Sequence, residues 1–397
     1  MAHVLSHWVT RVLGIFVASR IVTTAIFLVV ASLQRASDRT GDHPTFLEFA
    51  NIWDGQWYWL INLTGYPTEI PRTPEGDATE NAWAFMPVYP AFLRLFTAWG
   101  IPFPHVAPFV SMAFAALAAL VFHRLMVRFL PAGSALFATA LFCTAPLSVV
   151  LQVSYAESMH LFLLFVALVL LVDRRYPLLV PVVIVMAFTR PSGLAFALLL
   201  LLHLIQRFVA RPRDPFPWRE RIEVVVVGLV SFLAGIGWLL VAWAVTGEFT
   251  AYTDTEFAWR RGFGIEGHFI PFAPWFQAGE FWAGHWGVPD GWTLPVAVAG
   301  VVAIAGGFAG FLLSPWARRL GPDLRFWLVA YALYLLAVFF PQSSVFRLLM
   351  PLAPALGALA VPRSTAWRVA LILAGIVGQF LWTYGVWRAD VYDWTPP

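Results

Sequence analysis

Residues 53–66 read Trp-Asp-Gly-Gln-Trp-Tyr-Trp-Leu-Ile-Asn-Leu-Thr-Gly-Tyr and set one carboxylate, Asp54, among aromatic side chains. They follow a first long apolar stretch, and an ionisable group near a membrane boundary is costly to desolvate, so such a residue indicates a functional site. A carboxylate in that position can take a proton from a hydroxyl group as a general base. We therefore predict Asp54 as a catalytic residue. The alternative is that Asp54 caps a helix or pairs with a nearby arginine.

Two arginines, Arg190 and Arg347, stand at the ends of apolar segments, where a planar guanidinium can hold a phosphate group through two hydrogen bonds. The alternative is that they extend toward lipid headgroups. Glu157 begins another apolar segment; it could bind sugar hydroxyls or orient Asp54 or Arg190, or simply stabilise a helix N-terminus. Arg20 lies in the middle of the first apolar segment, and we expect it to pair with an acid inside the helix bundle.

Composition determines the class of protein that must position these groups. Of the 397 residues, 60% are hydrophobic and 12% are charged, and the mean hydropathy is +0.74. Soluble domains contain about 25% charged residues, so an ordinary soluble fold is excluded. All 25 basic residues are arginine, which suggests a GC-rich bacterial coding bias and hence a bacterial plasma membrane. The single cysteine, Cys143, is predicted to be a small buried hydrophobic residue.

Segments of roughly 20 apolar residues can cross about 30 Å of hydrocarbon as helices. We predict an all-α polytopic membrane protein with about 11 transmembrane helices in a single domain, 1–397. The predicted spans are 12–33, 105–125, 133–151, 156–172, 176–189, 194–208, 222–245, 293–313, 326–340, 346–361 and 367–387. Residues 84–100 are predicted to be juxtamembrane or re-entrant.

Arginines concentrate in alternate loops, which are predicted to be cytoplasmic together with the N-terminus. Two long segments, 34–104 with Asp54 and 246–292 with many aromatic residues, are then exterior. This orientation brings every polar cluster of chemical interest to the exterior side, where one cavity could gather them. A transporter usually binds its cargo near the middle of the bilayer, so the pattern favours an enzyme that works at one membrane face.

The predicted substrate-binding residues are drawn from these exterior clusters. They are Trp53, Gly55, Trp57, Tyr58, Tyr66, Tyr89, Tyr155, Glu157, Arg190, Gln342 and Arg347. The tyrosines could equally belong to the interfacial aromatic belt. The tryptophans of 246–292 could recognise an acceptor sugar or form an amphipathic hairpin on the membrane; they are Trp259, Trp275, Trp282, Trp286 and Trp292. His268, near Glu256 and Glu266, is predicted to be solvated, and the histidines show no metal-binding spacing.

Several motifs together resemble the PIG-V family of mannosyltransferases, within the GT-C class of polytopic glycosyltransferases. They are Ser19-Arg20, Trp53-Asp54-Gly55 with Trp57-Tyr58 and Gly65-Tyr66, Ala84-Phe85-Met86-Pro87-Val88-Tyr89-Pro90, Ser154-Tyr155-Ala156-Glu157-Ser158, Thr189-Arg190-Pro191-Ser192-Gly193 and Phe346-Arg347-Leu348-Leu349-Met350-Pro351. They occur in family order over nearly the whole chain. The family often has phenylalanine in place of Met86 and threonine in place of Ala156, and neither difference removes a charge.

The resemblance implies an inverting transfer of mannose from a polyprenyl-phosphate donor to a glycolipid or cell-envelope glycan at the exterior membrane face. Proteins of this class use an acid in the first exterior loop as the base, which here corresponds to Asp54. No cofactor is expected, because arginines can hold a monophosphate donor without a metal.

Three alternatives remain open. The enzyme could use another sugar or another lipid-linked donor. The protein could instead be a transporter or flippase of a polyprenyl-linked sugar, which would need the arginines and aromatic residues but no base. It could also be a subunit that supports another enzyme. Nucleic acid is not an expected partner, because the arginines are dispersed over membrane loops.

Overall fold

The computed structural model describes residues 2–261, 263–265 and 270–390. Within these ranges the regular structure is helical, and the backbone pairing of extended chain is limited to one isolated bridge between Arg72 and Ala78. The all-α fold predicted from the hydrophobic pattern is therefore confirmed.

The described ranges contain α-helices of very different lengths. In chain order they are α1 (Ala2–Ala31), α2 (Phe46–Ala50), α3 (Asp54–Thr64), α4 (Val88–Thr97), α5 (Phe103–Met126), α6 (Ala132–Thr144), α7 (Glu157–Val172), α8 (Tyr176–Ala187), α9 (Gly193–Ala210), α10 (Trp218–Thr246), α11 (Ala251–Arg261), α12 (Pro274–His285), α13 (Asp290–Leu313), α14 (Pro315–Arg318), α15 (Gly321–Val338), α16 (Val345–Leu348), α17 (Leu356–Leu359) and α18 (Thr365–Trp382). Shorter turns of 3₁₀-helix cover Ala82–Ala84, Ser148–Gln152 and Met350–Ala355, and a π-helical turn, Thr383–Trp387, extends α18.

Seven helices in the described ranges are long and apolar enough to cross a membrane: α1, α5, α9, α10, α13, α15 and α18 with its π-helical extension. The chain is thus an integral membrane protein. The other four predicted spans correspond to apolar helical segments of 10–17 residues: Ala132–Thr144, Glu157–Val172, Tyr176–Ala187 and Met350–Leu359. At 1.5 Å per residue these reach about 15–26 Å, less than the hydrocarbon thickness. The count of 11 spanning helices is therefore not confirmed.

Two predicted spans are interrupted. Residues 346–361 were expected to form one helix, but the chain forms α16, a 3₁₀ turn and α17 in succession. Pro351 and Pro354 lie in that 3₁₀ turn, and a proline removes a helical hydrogen bond and clashes with the preceding turn. Residues 133–151 likewise split into α6 and the 3₁₀ turn Ser148–Gln152. Residues 84–100, predicted to be juxtamembrane or re-entrant, contain only the ten-residue α4.

Arg20 binds the break after α6. Its Nη1 donates to the carbonyl oxygen of Ser148 at 2.6 Å and its Nη2 to that of Cys143 at 2.8 Å, while Gln152 Oε1 lies 3.3 Å from Nη1. The prediction that Arg20 pairs with an acid is wrong for the described residues. The last carbonyl groups of a helix have no partner within it, and the buried guanidinium supplies the missing donors. Cys143 is fully buried, as predicted.

The helices α9 and α10 cross at a pair of glycines. A Cβ atom added to Gly193 would lie 2.7 Å from Cα of Gly235, and one added to Gly235 would lie 2.6 Å from the backbone nitrogen of Leu194. The hydroxyl of Ser231 donates to the carbonyl oxygen of Gly193 at 2.9 Å. This close contact fixes the N-terminus of α9 and, with it, the segment that carries Arg190.

We expect Gly235→Ala to lower the apparent melting temperature of the purified protein, because backbone atoms of α9 cannot move aside as a flexible side chain can. Overpacking of this kind costs about 1–3 kcal/mol. Gly228→Ala, in the same helix, is the matched control, since its added Cβ would lie no closer than 3.9 Å to Leu200. Thermal unfolding in one detergent compares the two variants. Equal melting temperatures would contradict the tight crossing.

Candidate active site

Asp54 lies at a strained turn between α2 and α3. The preceding residue, Trp53, has φ +58° and ψ −126°, a backbone conformation that a residue with a side chain rarely adopts. The indole Nε1 of Trp53 donates to the carbonyl oxygen of Trp387 at 2.7 Å, and this anchor holds the turn. Strain of this type persists where surrounding contacts impose it, commonly at functional sites. Here it makes Asp54 the first residue of α3, with a side chain only 8% exposed.

The turn is docked against the chain segment that precedes α7. The backbone N–H of Ser154 donates to the carbonyl oxygen of Ala50 at 3.0 Å, and the N–H of Asp54 donates to the hydroxyl oxygen of Tyr155 at 3.3 Å. A Cβ atom on Gly55 would approach Cβ of Ser154 to 3.3 Å. Gly55 and Tyr155, both predicted as substrate-binding residues, therefore position the backbone around Asp54.

Three buried charged residues, Asp54, Glu157 and Arg347, and the partly buried Arg190 form a chain of alternating sign. Arg347 forms an ion pair with Asp54, and its Nη1 also lies 3.2 Å from Oε1 of Glu157. Arg190 Nη1 lies 2.8 Å from the same Glu157 oxygen. The order is Asp54, Arg347, Glu157, Arg190, and the formal charges cancel. A set of charges with no net charge can be buried at moderate cost in free energy, whereas burial of any one of these charges without a partner would carry a large desolvation penalty.

Each of these residues comes from a different part of the chain. Asp54 and Glu157 are the first residues of α3 and α7, Arg190 lies just before α9, and Arg347 is in α16, after α15. The guanidinium carbon of Arg347 also lies 4.9 Å from the ring centroid of Tyr155. The sequence predicted all four as candidates, and the tertiary structure brings them into contact.

The cluster retains unused hydrogen-bonding atoms. Oε2 of Glu157 and Nε of Arg347 are buried and have no hydrogen-bond partner among the described residues. Buried polar atoms are nearly always paired in folded proteins, and exceptions call for an explanation such as an absent ligand. Burial raises the pKa of Asp54 above its ordinary value, with a smaller opposing effect from the positive charge of Arg347.

A cavity of about 390 Å³ opens beside this cluster. Its volume lies within the roughly 300–1,000 Å³ of small-molecule sites. The predicted residues that line it are Asp54, Tyr58, Arg190, Gln342 and Arg347. Glu157 lies behind the wall and contacts both arginines. Polar residues from separate segments of the sequence thus meet at one cavity, as expected.

Other predicted substrate-binding residues lie outside the cavity wall. Trp53 anchors the turn described above. Trp57 stacks on Phe85 with ring centroids 5.6 Å apart. The hydroxyl of Tyr66 donates to the carbonyl oxygen of Phe85 at 2.9 Å, and that of Tyr89 lies 2.8 Å from the Ser111 hydroxyl. These contacts give the side chains packing roles around the site.

Sequence reasoning missed a second wall of the cavity, formed by α11 and the end of α15. Its polar residues are Tyr252, Glu256, Arg260, Tyr331 and Tyr334. The sequence suggests for Glu256 only a place near His268, and Glu266 and His268 lie outside the described residues. The spacing of Tyr252, Glu256 and Trp259 on one helix face was the signal available in the sequence.

The five tryptophans of 246–292 separate into distinct environments. Only Trp259 of this group lines the cavity. Trp275 and Trp282 donate their Nε1–H groups to the carbonyl oxygens of Leu335 and Pro341, both at 2.9 Å. Trp286 and Trp292 are exposed. Among the residues that the structure describes, no group of three or more histidine, cysteine, aspartate or glutamate side chains is arranged to hold a metal ion.

No protein-family model matches the chain, and no curated protein matches it. Among solved structures it is similar to the archaeal oligosaccharyltransferase AglB from Archaeoglobus fulgidus in complex with an inhibitory peptide and a dolichol-phosphate, with a TM-score of 0.46 and 14% identity. A second structure of the Archaeoglobus fulgidus oligosaccharyltransferase, tethered with an acceptor peptide through a disulfide bond, gives a TM-score of 0.44 and 12% identity. Both matches cover 97% of this chain and 56% of the other, so the chain spans little more than half the length of these proteins.

Proposed function

We propose that this protein is an inverting glycosyltransferase that moves mannose from a polyprenyl-phosphate donor to a glycolipid or cell-envelope glycan at the exterior membrane face. The observation that carries the proposal is the largely buried chain of charges, Asp54, Arg347, Glu157 and Arg190, beside a cavity. It combines a proton acceptor with two guanidinium groups in one water-poor site. That combination is what a sugar transfer to a hydroxyl group requires.

In this mechanism Asp54 accepts the proton of the acceptor hydroxyl as the oxygen attacks the anomeric carbon from the face opposite the phosphate. The new bond joins that oxygen to the anomeric carbon, and the bond between the anomeric carbon and the phosphate oxygen breaks. Polyprenyl phosphate leaves with the bonding electrons, and the anomeric configuration is inverted. No atom changes its oxidation state, so the transfer needs no oxidant or reductant.

The two arginines serve the leaving group. As the proton reaches Asp54, this residue loses its negative charge while the departing phosphate gains one. Arg347, which is paired with Asp54 before the reaction, is then free to neutralise the phosphate together with Arg190. Glu157 orients both guanidinium groups through its shared oxygen. Donors aimed at developing charge are commonly the largest single contribution to catalysis.

The choice of mannose rests on the resemblance to the PIG-V family. Its motifs contribute Asp54, Tyr155, Glu157, Arg190 and Arg347, the residues that meet at the cluster. A GT-C enzyme that uses another sugar has the same requirements for a base and a phosphate site. Donor identity is therefore part of the test.

The test supplies purified protein in nanodiscs with polyprenyl phosphates that carry radiolabelled mannose, glucose or galactose, and with a membrane lipid extract as acceptor. We expect label from the mannose donor to appear in a new glycolipid. Activity of the purified chain alone also excludes the role of an accessory subunit. Transfer from another donor would replace mannose in the proposal. Binding of the donors with neither transfer nor sensitivity to Asp54→Asn would favour a flippase.

We expect the transfer rate to depend on pH through Asp54. A base must be ionised, so activity is lost as the pH falls through the pKa of this carboxyl group. Burial raises that pKa, against the smaller effect of Arg347, so the acid limb lies above the ordinary aspartate value of about 3.9. The measurement is kcat/KM against pH at saturating acceptor. An acid limb at or below the ordinary value would contradict the predicted environment of Asp54.

A further inference from the structure

The helix α11 presents three side chains to the cavity from one face. Tyr252, Glu256 and Trp259 occupy positions i, i+4 and i+7, which share a side of an α-helix. All three line the cavity that also contains Asp54 and Arg190. The helix follows directly after α10, and its position is fixed in part by a hydrogen bond from Asn81 to the Thr255 hydroxyl at 2.9 Å.

Glu256 supplies a hydrogen-bond acceptor. Burial raises its pKa, with the positive charge of Arg260 and the neighbouring Tyr252 hydroxyl acting in the opposite direction. Arg260 donates through Nη2 to the carbonyl oxygen of Val338 at 2.7 Å. Among the described residues, none forms an ion pair of 4.0 Å or less with Glu256. Asp54 and Glu157, in contrast, both pair with Arg347. The carboxylate therefore keeps acceptor capacity at the cavity wall.

Trp259 supplies a hydrogen-bond donor. Its Nε1 is buried and has no partner among the residues that the structure describes. The indole is held edge-on by Trp57, with ring centroids 6.0 Å apart, and by Phe85 at 6.3 Å. A buried indole N–H usually has a partner. A ligand atom in the cavity would satisfy it.

We propose that this face of α11 binds the acceptor substrate by its sugar hydroxyl groups, with Glu256 accepting hydrogen bonds and Trp259 donating one. The proposal rests on the proposed glycosyl transfer and extends it to the acceptor. A hydroxyl group both donates and accepts, so a polyol matches a carboxylate and an indole N–H on neighbouring turns. The donor phosphate fits this wall less well, because it would face Glu256, and Arg260 on the same wall already donates to the Val338 carbonyl oxygen. Arg190 and Arg347 attract the phosphate to the other wall.

The aromatic surroundings agree with a sugar ligand. Tyr252, Tyr331 and Tyr334 line the same region and offer ring faces and hydroxyl groups. A sugar held there lies between α11 and Asp54, and it can thus present a hydroxyl group to the base. Trp259 and Glu256 are specificity-determining residues in this arrangement and take no part in proton transfer.

The experiment measures equilibrium binding of radiolabelled octyl α-mannoside to the protein in nanodiscs, with binding to protein-free nanodiscs subtracted. Trp259→Phe keeps the ring and removes the N–H, and we expect it to weaken binding by about threefold to tenfold. Glu256→Gln keeps the shape and removes the charge, and we expect a loss of about tenfold or more. Binding of a short-chain polyprenyl phosphate to the same variants should stay within about twofold of the wild type.

Matched controls come from the same part of the chain. Trp275→Phe also removes an indole N–H, but Trp275 does not line the cavity and its N–H already donates to the Leu335 carbonyl oxygen. Asp254→Asn also removes a charge from α11, at a side chain that accepts from the Thr250 hydroxyl at 2.8 Å. Neither should change octyl mannoside binding. Unchanged polyprenyl phosphate binding in every variant shows that the folds are intact.

Several outcomes would overturn the proposal. Unchanged mannoside binding in both Trp259→Phe and Glu256→Gln would remove these residues from the site. Equal losses of mannoside and polyprenyl phosphate would mean that α11 contacts the donor. Failure of the wild type to bind octyl mannoside, octyl glucoside or octyl galactoside would exclude a sugar subsite. If Trp259→Phe and Glu256→Gln weaken sugar binding but the wild type transfers no sugar, the proposed glycosyltransferase function is wrong and the sugar-binding subsite is supported.

Discussion

Asp54→Asn is expected to lower the kcat of sugar transfer by about 10³-fold, because general-base catalysis contributes typically 10²–10⁴-fold. The amide keeps the size of the side chain and cannot accept the proton. The same change removes one of the two carboxylate partners of Arg347 and leaves Glu157 as the other. Donor affinity should therefore stay the same or increase, while the chemical step is lost.

Single-turnover transfer and donor binding are measured separately on the same preparation. Asp42→Asn is the matched control, since Asp42 is an exposed residue of the same segment whose partner is His43. It should transfer sugar at the wild-type rate. Near-normal transfer by Asp54→Asn would remove Asp54 from the role of base. Parallel losses of donor binding and transfer would indicate that Asp54 shapes the site without taking the proton.

Arg347→Met is expected to reduce both stability and donor binding. The change leaves Asp54 without its cation and leaves Glu157 with Arg190 alone. Removal of one partner of a buried pair costs about 3–5 kcal/mol. A charged hydrogen bond to the donor phosphate is worth about 1.5–3 kcal/mol, so donor affinity should fall roughly tenfold to a hundredfold.

The double variant Asp54→Asn with Arg347→Met separates these two effects. It removes both charges, so we expect most of the lost stability to return, because no unpaired carboxylate remains. Donor affinity should stay low and transfer should stay absent. Thermal unfolding and donor binding provide the two readouts. A double variant as unstable as Arg347→Met would show that the pair does not act as a unit.

Arg219→Met serves as the control for loss of a guanidinium. Arg219 is 86% exposed and pairs with Glu223 four residues later. An exposed pair contributes about 0–1 kcal/mol, so little change in stability or donor binding is expected. Arg347→Lys is the informative intermediate, since it keeps the charge and loses the planar fork. Donor binding by this variant should lie between that of the wild type and that of Arg347→Met.

Local pattern was sufficient for much of the architecture. Apolar segments of the right length predicted membrane helices at each position where an apolar helix occurs, because lipid demands internally satisfied backbone groups whatever the tertiary arrangement. The local pattern did not predict where prolines interrupt a helix or where a helix is too short to span the membrane. The segment with Pro351 and Pro354 breaks into short helices, and Arg20 from the distant helix α1 binds the carbonyl groups at and after the C-terminal end of α6. Such contacts have no local signature.

The site shows the same division. Residue type and position alone singled out Asp54, Glu157, Arg190 and Arg347, because buried or boundary charges in an apolar chain are expensive and few. The sequence did not predict a role for Glu256, because a single acid in an aromatic-rich loop is usually exposed to solvent. The tertiary structure instead places the helix that carries Glu256 at the cavity wall. Tyr89 and Tyr66, in contrast, had the expected residue type but are occupied by packing contacts.

The sequence by itself determined that the chain is helical, lies in a membrane and carries a small set of costly charged residues, since these follow from composition and periodicity. Only the tertiary structure decided which charges pair. Glu157 is shared by two arginines, and Arg347 is shared by two carboxylates, from segments up to 293 positions apart. The physical reason is that a buried charge is tolerated only beside its partners, and those partners are brought together by helix packing, which no local pattern encodes.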